Sequence, residues 1–342
     1  MTRLLLCSLA GLSAAIYFAT GALSQTPATV RVDGGELQGV VADGVASFKG
    51  IPFAAPPVGD LRWREPMPVK SWTGTRDATH FGARCMQSGA DVSEDCLYIN
   101  VWTPEWPPKA RKPVMLWIHG GGNFAGASSE AIFDGEALAQ HGVVLVSVNY
   151  RLGVFGFYAH PELTAESKHH ASGNYGLMDQ VAALQWVRDN IARFGGDPRN
   201  VTIFGESAGA LDINVLMTSP LAKGLYARLI GESGPVVAPP SLAEGEKKGL
   251  SVAASLKADS LKAMRALPAA DLQIATGQGL SFLGPILGVV VDGWVVPKPP
   301  FEVFEGGQEH RVDLLLGTNA RELTRLSVAR TLPSHRIRDL AL

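Results

Sequence analysis

The sequence predicts an α/β protein: a mostly parallel central sheet flanked by helices on both faces. Two observations carry this. Compact apolar runs of strand length recur along the chain, as in strands buried on both faces of a sheet. Between them lie segments whose apolar residues recur at spacings of three and four, as on a helix face. Strand alternating with helix gives that layered architecture.

The elements follow in chain order. Residues 31–53 read as a short antiparallel region, with runs at 30–32, 37–41 and 46–48. Residues 54–75, rich in Pro and Trp, read as irregular, and 104–113 as a surface loop. Fully buried strands are expected at 114–119, 143–150, 201–204 and 312–316. A helix is expected from Tyr175 to Phe194, with Leu177, Val181, Leu184, Val187 and Ile191 inward. Gly195-Gly196-Asp197-Pro198 stops it. Residues 238–280 read as two or three short helices, part of a cap over the sheet.

The 342 residues, 46% hydrophobic, can bury one large core or two small ones. The net charge of -2 comes without any dense Lys/Arg run, which argues against a nucleic-acid surface. At the N-terminus, Arg3 precedes an apolar run from Leu4 to Ala19, and Ala22-Leu23-Ser24 supplies small residues at the positions a signal peptidase reads. The run is shorter than the ~20 residues of a spanning helix. Residues 1–24 are therefore expected to be a signal peptide cut before Gln25, with no stable membrane insertion afterwards. The protein would then be secreted or periplasmic. Cys7 lacks the small residues expected before a lipidated cysteine.

Beyond that segment only Cys85 and Cys96 remain. In an oxidising compartment two cysteines so close in sequence are expected to pair. Loop closure alone would contribute roughly 2–3 kcal/mol. Neither has metal-ligand spacing to a histidine, so no metal site is expected. Nothing implies an organic cofactor, and no pattern specifies an oligomeric state.

The chemistry is carried by two glycine-rich turns. Gly205-Glu206-Ser207-Ala208-Gly209 is a G-x-S-x-G motif with an apolar strand before it and a helix-like stretch, 208–217, after it. Strand, sharp turn and helix hold a serine in a strained bend with its hydroxyl above the sheet. Side chains in place of the flanking glycines would strike the adjoining strand or helix. Ser207 is the candidate nucleophile. His119-Gly120-Gly121-Gly122-Asn123 follows the strand at 114–118. Such glycines let backbone N–H groups converge on one point and hold the oxygen anion of a tetrahedral intermediate. The candidate donors are Gly120 or Gly121, Gly121 or Gly122, and Ala208, and the best single set is Gly121, Gly122 and Ala208. The phosphate-binding pattern G-x-x-x-x-G-K-[ST] is absent. His119 reads as a packing and hydrogen-bonding residue, not a base.

Four further blocks bring a resemblance. Residues 93–102, Ser93-Glu94-Asp95-Cys96-Leu97-Tyr98-Ile99-Asn100-Val101-Trp102, are nearly the signature of the type-B carboxylesterase/lipase family, whose members include cholinesterase-like and para-nitrobenzyl-esterase-like enzymes. Residues 50–59, 149–157 and 173–180 resemble further blocks of that family, in order. The resemblance covers 25–326, and the tail 327–342 does not share it. It implies an α/β-hydrolase fold and hydrolysis of a small carboxylic ester through an acyl-serine. It places the acid of the triad at Glu322, in Leu316-Gly317-Thr318-Asn319-Ala320-Arg321-Glu322, although Leu323 stands where the family usually has Gly. It also implies a Cys85–Cys96 bridge, an Arg62–Glu94 ion pair, and support of the acid from behind by Ser233. Glu206, beside the nucleophile, joins Ser233 in that supporting ring.

The family's histidine lies in a Gly-x-x-His-x-x-acidic block roughly a hundred residues past the acid, following the chain order Ser, acid, His. Here twenty residues follow Glu322, with His335 the sole histidine among them, in a context unlike the family's. His335 is not assigned. The expectation is a hydrolase domain incomplete at its C-terminus, and an activity lowered by orders of magnitude for want of the base. A non-catalytic cholinesterase-like binding or adhesion domain is the alternative. The hormone-sensitive-lipase-like branch also carries both glycine motifs, but the block at 93–102 and the cysteine pair favour type-B.

Overall fold

The computed structural model describes residues 26–236, 238–277, 287–320 and 322. The expected signal peptide and His335 lie outside the described residues.

Among those residues twelve strands are formed: β1 Thr26–Val32, β2 Gly35–Ala42, β3 Val45–Pro52, β4 Thr75–Asp77, β5 Arg84–Cys85, β6 Val92–Ser93, β7 Tyr98–Thr103, β8 Lys112–Ile118, β9 Val144–Val148, β10 Gly196–Glu206, β11 Arg228–Glu232 and β12 Asp313–Gly317. Nine helices accompany them: α1 Glu136–Gln140, α2 Gly153–Phe157, α3 Pro161–Glu166, α4 Tyr175–Asn190, α5 Ala208–Leu216, α6 Leu242–Ser255, α7 Leu261–Ala266, α8 Ala269–Gly277 and α9 Pro300–Glu305.

One sheet runs in the order β1-β2-β3-β7-β9-β8-β10-β11-β12, with β4 pairing to β2. The pairs from β1 through β9 are antiparallel, and those from β9 through β12 are parallel. The parallel half holds the expected apolar runs. All five residues of β9 are buried, and so are Val114, Leu116 and Ile118 of β8. Parallel strands with helices on both faces need such composition, since neither face meets water. The expectation of a mostly parallel, two-sided sheet is met, with an antiparallel portion on one side.

Helix α4 packs Leu177, Val181, Leu184 and Val187 into the core. Ile191 and Phe194 continue the same face through a tighter turn, and Gly195 then takes a left-handed φ of 84° that ends it. The cap region forms three helices, as expected. Helix α6 opens with a reciprocal Ser241–Glu244 capping box. A second apolar cluster, including Trp63, Phe157, Tyr158, Met264 and Val296, lies under these helices.

Two buried polar side chains tie the layers together. The Arg62 guanidinium grips Glu94 at 2.6 Å through Nε and Nη2, and its Nη1 donates to the carbonyls of Arg265 and Leu267 at 3.0 and 2.8 Å. Asn174, wholly buried, donates to the Val290 carbonyl at 2.9 Å and accepts from the Val290 N–H at 3.1 Å. Cys85 and Cys96 form a disulfide.

One expectation is corrected. The run at 312–316 does form a strand, but it is not buried on both faces. Leu314, Leu315 and Leu316 are 46%, 63% and 56% exposed. The reason is position: β12 is the outermost strand on its side of the described sheet, paired only to β11. Among the described residues no helix is long and apolar enough to cross a membrane.

Candidate active site

The site is built where β8, β10, β11 and β12 end. Between β10 and α5, Ser207 takes φ 55° and ψ -120°, a conformation that costs a non-glycine residue roughly 1–3 kcal/mol. Its N–H donates to the Glu232 carbonyl at 2.9 Å, and its own carbonyl accepts from Leu211 N–H at 2.9 Å. The side chain makes no capping bond to the helix it precedes, so the hydroxyl is left for other work. Ser207 itself is half-buried.

Close approach explains the motif. A Cβ at position 205 would stand 2.7 Å from the Ile118 carbonyl oxygen, and one at position 209 only 2.1 Å from the same atom. The turn is thus pressed against the end of β8, whose continuation is the glycine loop. A Cβ at position 120 would lie 2.7 Å from the Glu206 carbonyl oxygen and 3.3 Å from the Ser207 Cβ. The two motifs therefore meet at Ser207. Gly121 and Gly122 take φ values of 100° and 66°, and the Gly121 carbonyl accepts from Ala125 N–H at 3.0 Å. Within the described residues no backbone hydrogen bond occupies the N–H groups of Gly121, Gly122 or Ala208.

His119 is buried beneath this loop. It stacks on Tyr150 with ring centroids 4.5 Å apart, and its Nδ1 pairs with the Gly120 carbonyl at 2.8 Å. Burial pushes its pKa down to about 4, so the ring is neutral near pH 7. That is the packing role expected of it.

On the other side, Ser233 also has positive φ, 55°, and its N–H donates to the Gly317 carbonyl at 2.7 Å. Its hydroxyl bonds the Glu322 carboxylate, which also accepts from Asn319 N–H at 2.8 Å and from the Thr318 hydroxyl at 3.3 Å. The Ser233 hydroxyl, then the Asn319 N–H, hold the Glu322 carboxyl below its ordinary value. Glu206 behaves oppositely. Desolvation, followed by the negative charges of Glu322 and Glu232, raises its pKa. The field of Glu322 is thus felt at the residue adjoining Ser207.

The structure brings together Ser207, Glu206, Ala208, the loop at 120–122, Ser233 and Glu322. Among the described residues no histidine hydrogen-bonds to Ser207 or Glu322. His80 pairs with Asp77, His160 caps α3, His169 stacks on Trp294 and His310 bonds Tyr226. No group of acidic, Cys or His side chains among the described residues is arranged to hold a metal ion.

Sequence reasoning passed over Asp212, Gln180 and Tyr150. Asp212 lies wholly buried on α5, where its Oδ1 and Oδ2 meet Asn123 Nδ2 at 2.8 Å and Gln180 Nε2 at 2.6 Å. The signal was available: a lone acid in the stretch Ala208–Leu216, whose one other polar residue is Asn214, one turn past the nucleophile.

The carboxylesterase family model matches residues 26–338. This chain belongs to the carboxylesterase family. Among its relatives, fumonisin B1 esterase of Sphingopyxis macrogoltabida is 42% identical over 316 residues, covering 88% of this chain and 57% of that protein. Para-nitrobenzyl esterase of Bacillus subtilis (strain 168) is 41% identical over 310 residues, covering 84% of this chain and 61% of that protein. A crystal structure of a Geobacillus stearothermophilus carboxylesterase superposes with a TM-score of 0.81 at 38% identity, covering 88% of this chain and 63% of that one. The α/β-hydrolase fold and the type-B kinship read from the sequence are both shown. This carboxylesterase chain spans about three fifths of the length of the curated relatives it matches. Those relatives are hydrolases by name, which does not favour the non-catalytic alternative.

Proposed function

We propose that this carboxylesterase cleaves small carboxylic esters through an acyl-Ser207 intermediate. The observation that carries the reading is the meeting of the two glycine motifs: a Cβ at position 120 would fall 3.3 Å from the Ser207 Cβ, and among the described residues no backbone hydrogen bond occupies the N–H groups of Gly121, Gly122 or Ala208. In the first step Ser207 Oγ attacks the ester carbonyl carbon while its proton passes to a base. The carbonyl oxygen becomes an anion facing those three N–H groups, each commonly worth about 3–4 kcal/mol of barrier. The C–O bond to the alcohol then breaks, and the alcohol leaves with the proton. Water repeats the cycle on the acyl group and releases the acid.

Glu322, braced by Ser233, orients the base. Its lowered pKa keeps it ionised near neutrality, as that duty requires. Glu206, next to Ser207 in the chain, has its pKa raised by desolvation and by the charges of Glu322 and Glu232. The base itself is assigned to no described residue. With these 342 residues alone, hydrolysis is expected to fall on the order of a million-fold below that of a complete triad. The substrate class, the absence of a cofactor, and passage through a secretory route after loss of residues 1–24 belong to the same reading.

The test is hydrolysis of p-nitrophenyl acetate by the purified chain, with and without added imidazole as a diffusible base. The expected result is slow turnover, accelerated by imidazole, with an acetyl adduct on the Ser207 peptide by mass spectrometry. Ser207→Ala should lose both. An adduct elsewhere, or equal turnover in Ser207→Ala, overturns the acyl-serine reading. Ordinary esterase rates without imidazole overturn only the claim of low activity.

A further inference from the structure

Under the glycine loop, hydrogen counting exposes a conflict. The Tyr150 hydroxyl lies 2.8 Å from the His119 carbonyl oxygen and 3.0 Å from Asn123 Oδ1. Both are acceptors, and a phenol has one proton to give. One of the two contacts therefore sets lone pair against lone pair in a fully buried place.

The oxygen and nitrogen of an amide side chain are nearly the same in shape, so their assignment follows from the network around them. Turning the Asn123 amide over puts its NH₂ against Tyr150 Oη and its oxygen against Asp212 Oδ1. The first contact becomes a good donor–acceptor pair. The second requires a proton on Asp212. No heavy-atom position moves, and the side chains of Asp212, Asn123 and Tyr150 each donate to an acceptor. Asp212 O–H donates to Asn123, Asn123 NH₂ to Tyr150, and Tyr150 O–H to the His119 carbonyl. Gln180 Nε2 still donates to Asp212 Oδ2. Turning Gln180 instead would leave the conflict at Tyr150 untouched.

The surroundings agree. Among the described residues Asp212 has two amide partners and no cation. The Arg151 guanidinium, next in sequence to Tyr150, is committed to Asp179 on α4 and to the Arg64 carbonyl. His119 and Tyr150 are uncharged, burial holding the one down and the other well up; the Arg84 guanidinium is felt at His119 but not among the groups acting on Asp212. Burial likewise pushes the Asp212 carboxyl up, to about 7. An isolated buried carboxylate is costly, and taking up a proton is the usual escape.

We propose that Asp212 is a positioning residue that acts as a neutral acid, its O–H linked through Asn123 and Tyr150 to the His119 carbonyl and so holding Gly121 and Gly122 in place beside Ser207. This deepens the acyl-serine reading and rests on it only for what those glycines do. The network also explains why Asn123 carries a φ of 61°: its side chain is fixed from below while its carbonyl accepts Gly153 N–H at 2.7 Å.

Backbone signals of the loop test the proposal without any ester. Labelling glycine with both ¹³C-carbonyl and ¹⁵N, and selecting directly bonded pairs, leaves the second residue of each Gly-Gly step: Gly35, Gly121, Gly122, Gly196 and Gly307. In the native chain Gly121 and Gly122 should shift with a midpoint near 7, where Asp212 loses its proton, while Gly35, Gly196 and Gly307 stay still. Asp212→Asn is neutral at every pH, matches the shape and can donate to Asn123. It should hold Gly121 and Gly122 at their native low-pH positions throughout. Asp212→Ala should displace them at every pH. The proposal is overturned if Asp212→Asn displaces the two signals at low pH, if they titrate in it as in the native chain, or if Asp212→Ala leaves them unmoved. Should the alanine variant fail to fold, the native and asparagine spectra still decide. Failure here leaves Ser207 a candidate nucleophile, and an inert Ser207 leaves this network standing.

Discussion

One row of residues crosses the parallel half of the sheet from the nucleophile to the acid. Ile203 on β10 pairs with Leu229 on β11, which pairs with Leu314 on β12. The three side chains are alike in size and chemistry. Their exposures are 0%, 1% and 46%. At one end, geometry is imposed by exclusion: β8, β10 and α5 are pressed together until only glycine fits at 205 and 209. At the other end, Glu322 is exposed and held by hydrogen bonds from Ser233, Asn319 and Thr318. Two members of one proposed site are thus positioned by opposite means, the serine by packing and the carboxylate by donors.

The contrast can be broken by paired substitutions. The largest effect is expected from glycine. At Gly209 an added methyl meets backbone at 2.1 Å, whereas at Gly317 it meets nothing within 4 Å. Gly209→Ala should cost at least about 3 kcal/mol, and Gly317→Ala should stay within about 0.5 kcal/mol. Urea unfolding midpoints measure both, and equal losses would mean that the elbow is no tighter than the edge. Next comes the row itself. Ile203→Ala should cost about 2–5 kcal/mol and Leu314→Ala less than about 1 kcal/mol. A similar loss at both would show that β12 is covered in solution.

The two ends should also differ in their response to pH. His119 is buried neutral with its pKa lowered to about 4. Above its unfolded value of about 6.5 both states are neutral and pH has no effect through this group. Below that, the unfolded chain binds a proton that the native chain refuses, so stability falls until pH reaches about 4, by about 3 kcal/mol in all. Glu322 works later on the acid side. Its stabilising contribution is present above its unfolded value and is lost as pH falls through its lowered native one. Over the same range Asp212, its pKa raised to about 7, keeps a proton that the unfolded chain releases and so contributes an opposing slope. The His119 contribution is therefore read from unfolding curves as the difference between native chain and His119→Gln, while Glu322→Gln should follow the native course. Equal slopes in native chain and His119→Gln would remove His119 as the cause.

Much of this arrangement was legible before any coordinates. The runs that became β8, β9 and β10 announce two-sided burial, and the three-and-four spacing of α4 survives intact. Both glycine motifs stand where strand meets helix. β11 was not legible: Arg228-Leu229-Ile230-Gly231-Glu232 offers two apolar residues between charges, too few to mark a strand. The exposure of β12 was not legible either, because burial depends on what lies beyond a strand, while Leu314-Leu315-Leu316 reads the same at an edge or in the middle. Asp212 is a third kind of case. Its type and position were visible, but only the fold shows that Asn123, Tyr150 and Gln180 converge near it from three separate segments.

Asn174 shows how little is needed to dock a returning chain. An amide side chain sets an N–H donor and a carbonyl acceptor at nearly the spacing of a peptide unit, and Asn174 presents both to Val290. It stands in for an entire neighbouring strand. Aspartate there would offer acceptors alone and leucine neither, and either would strand a peptide group in dry protein. The amide thus fixes the register of the segment at Val290, one residue before Val291 exchanges backbone bonds with Pro240 and Leu242.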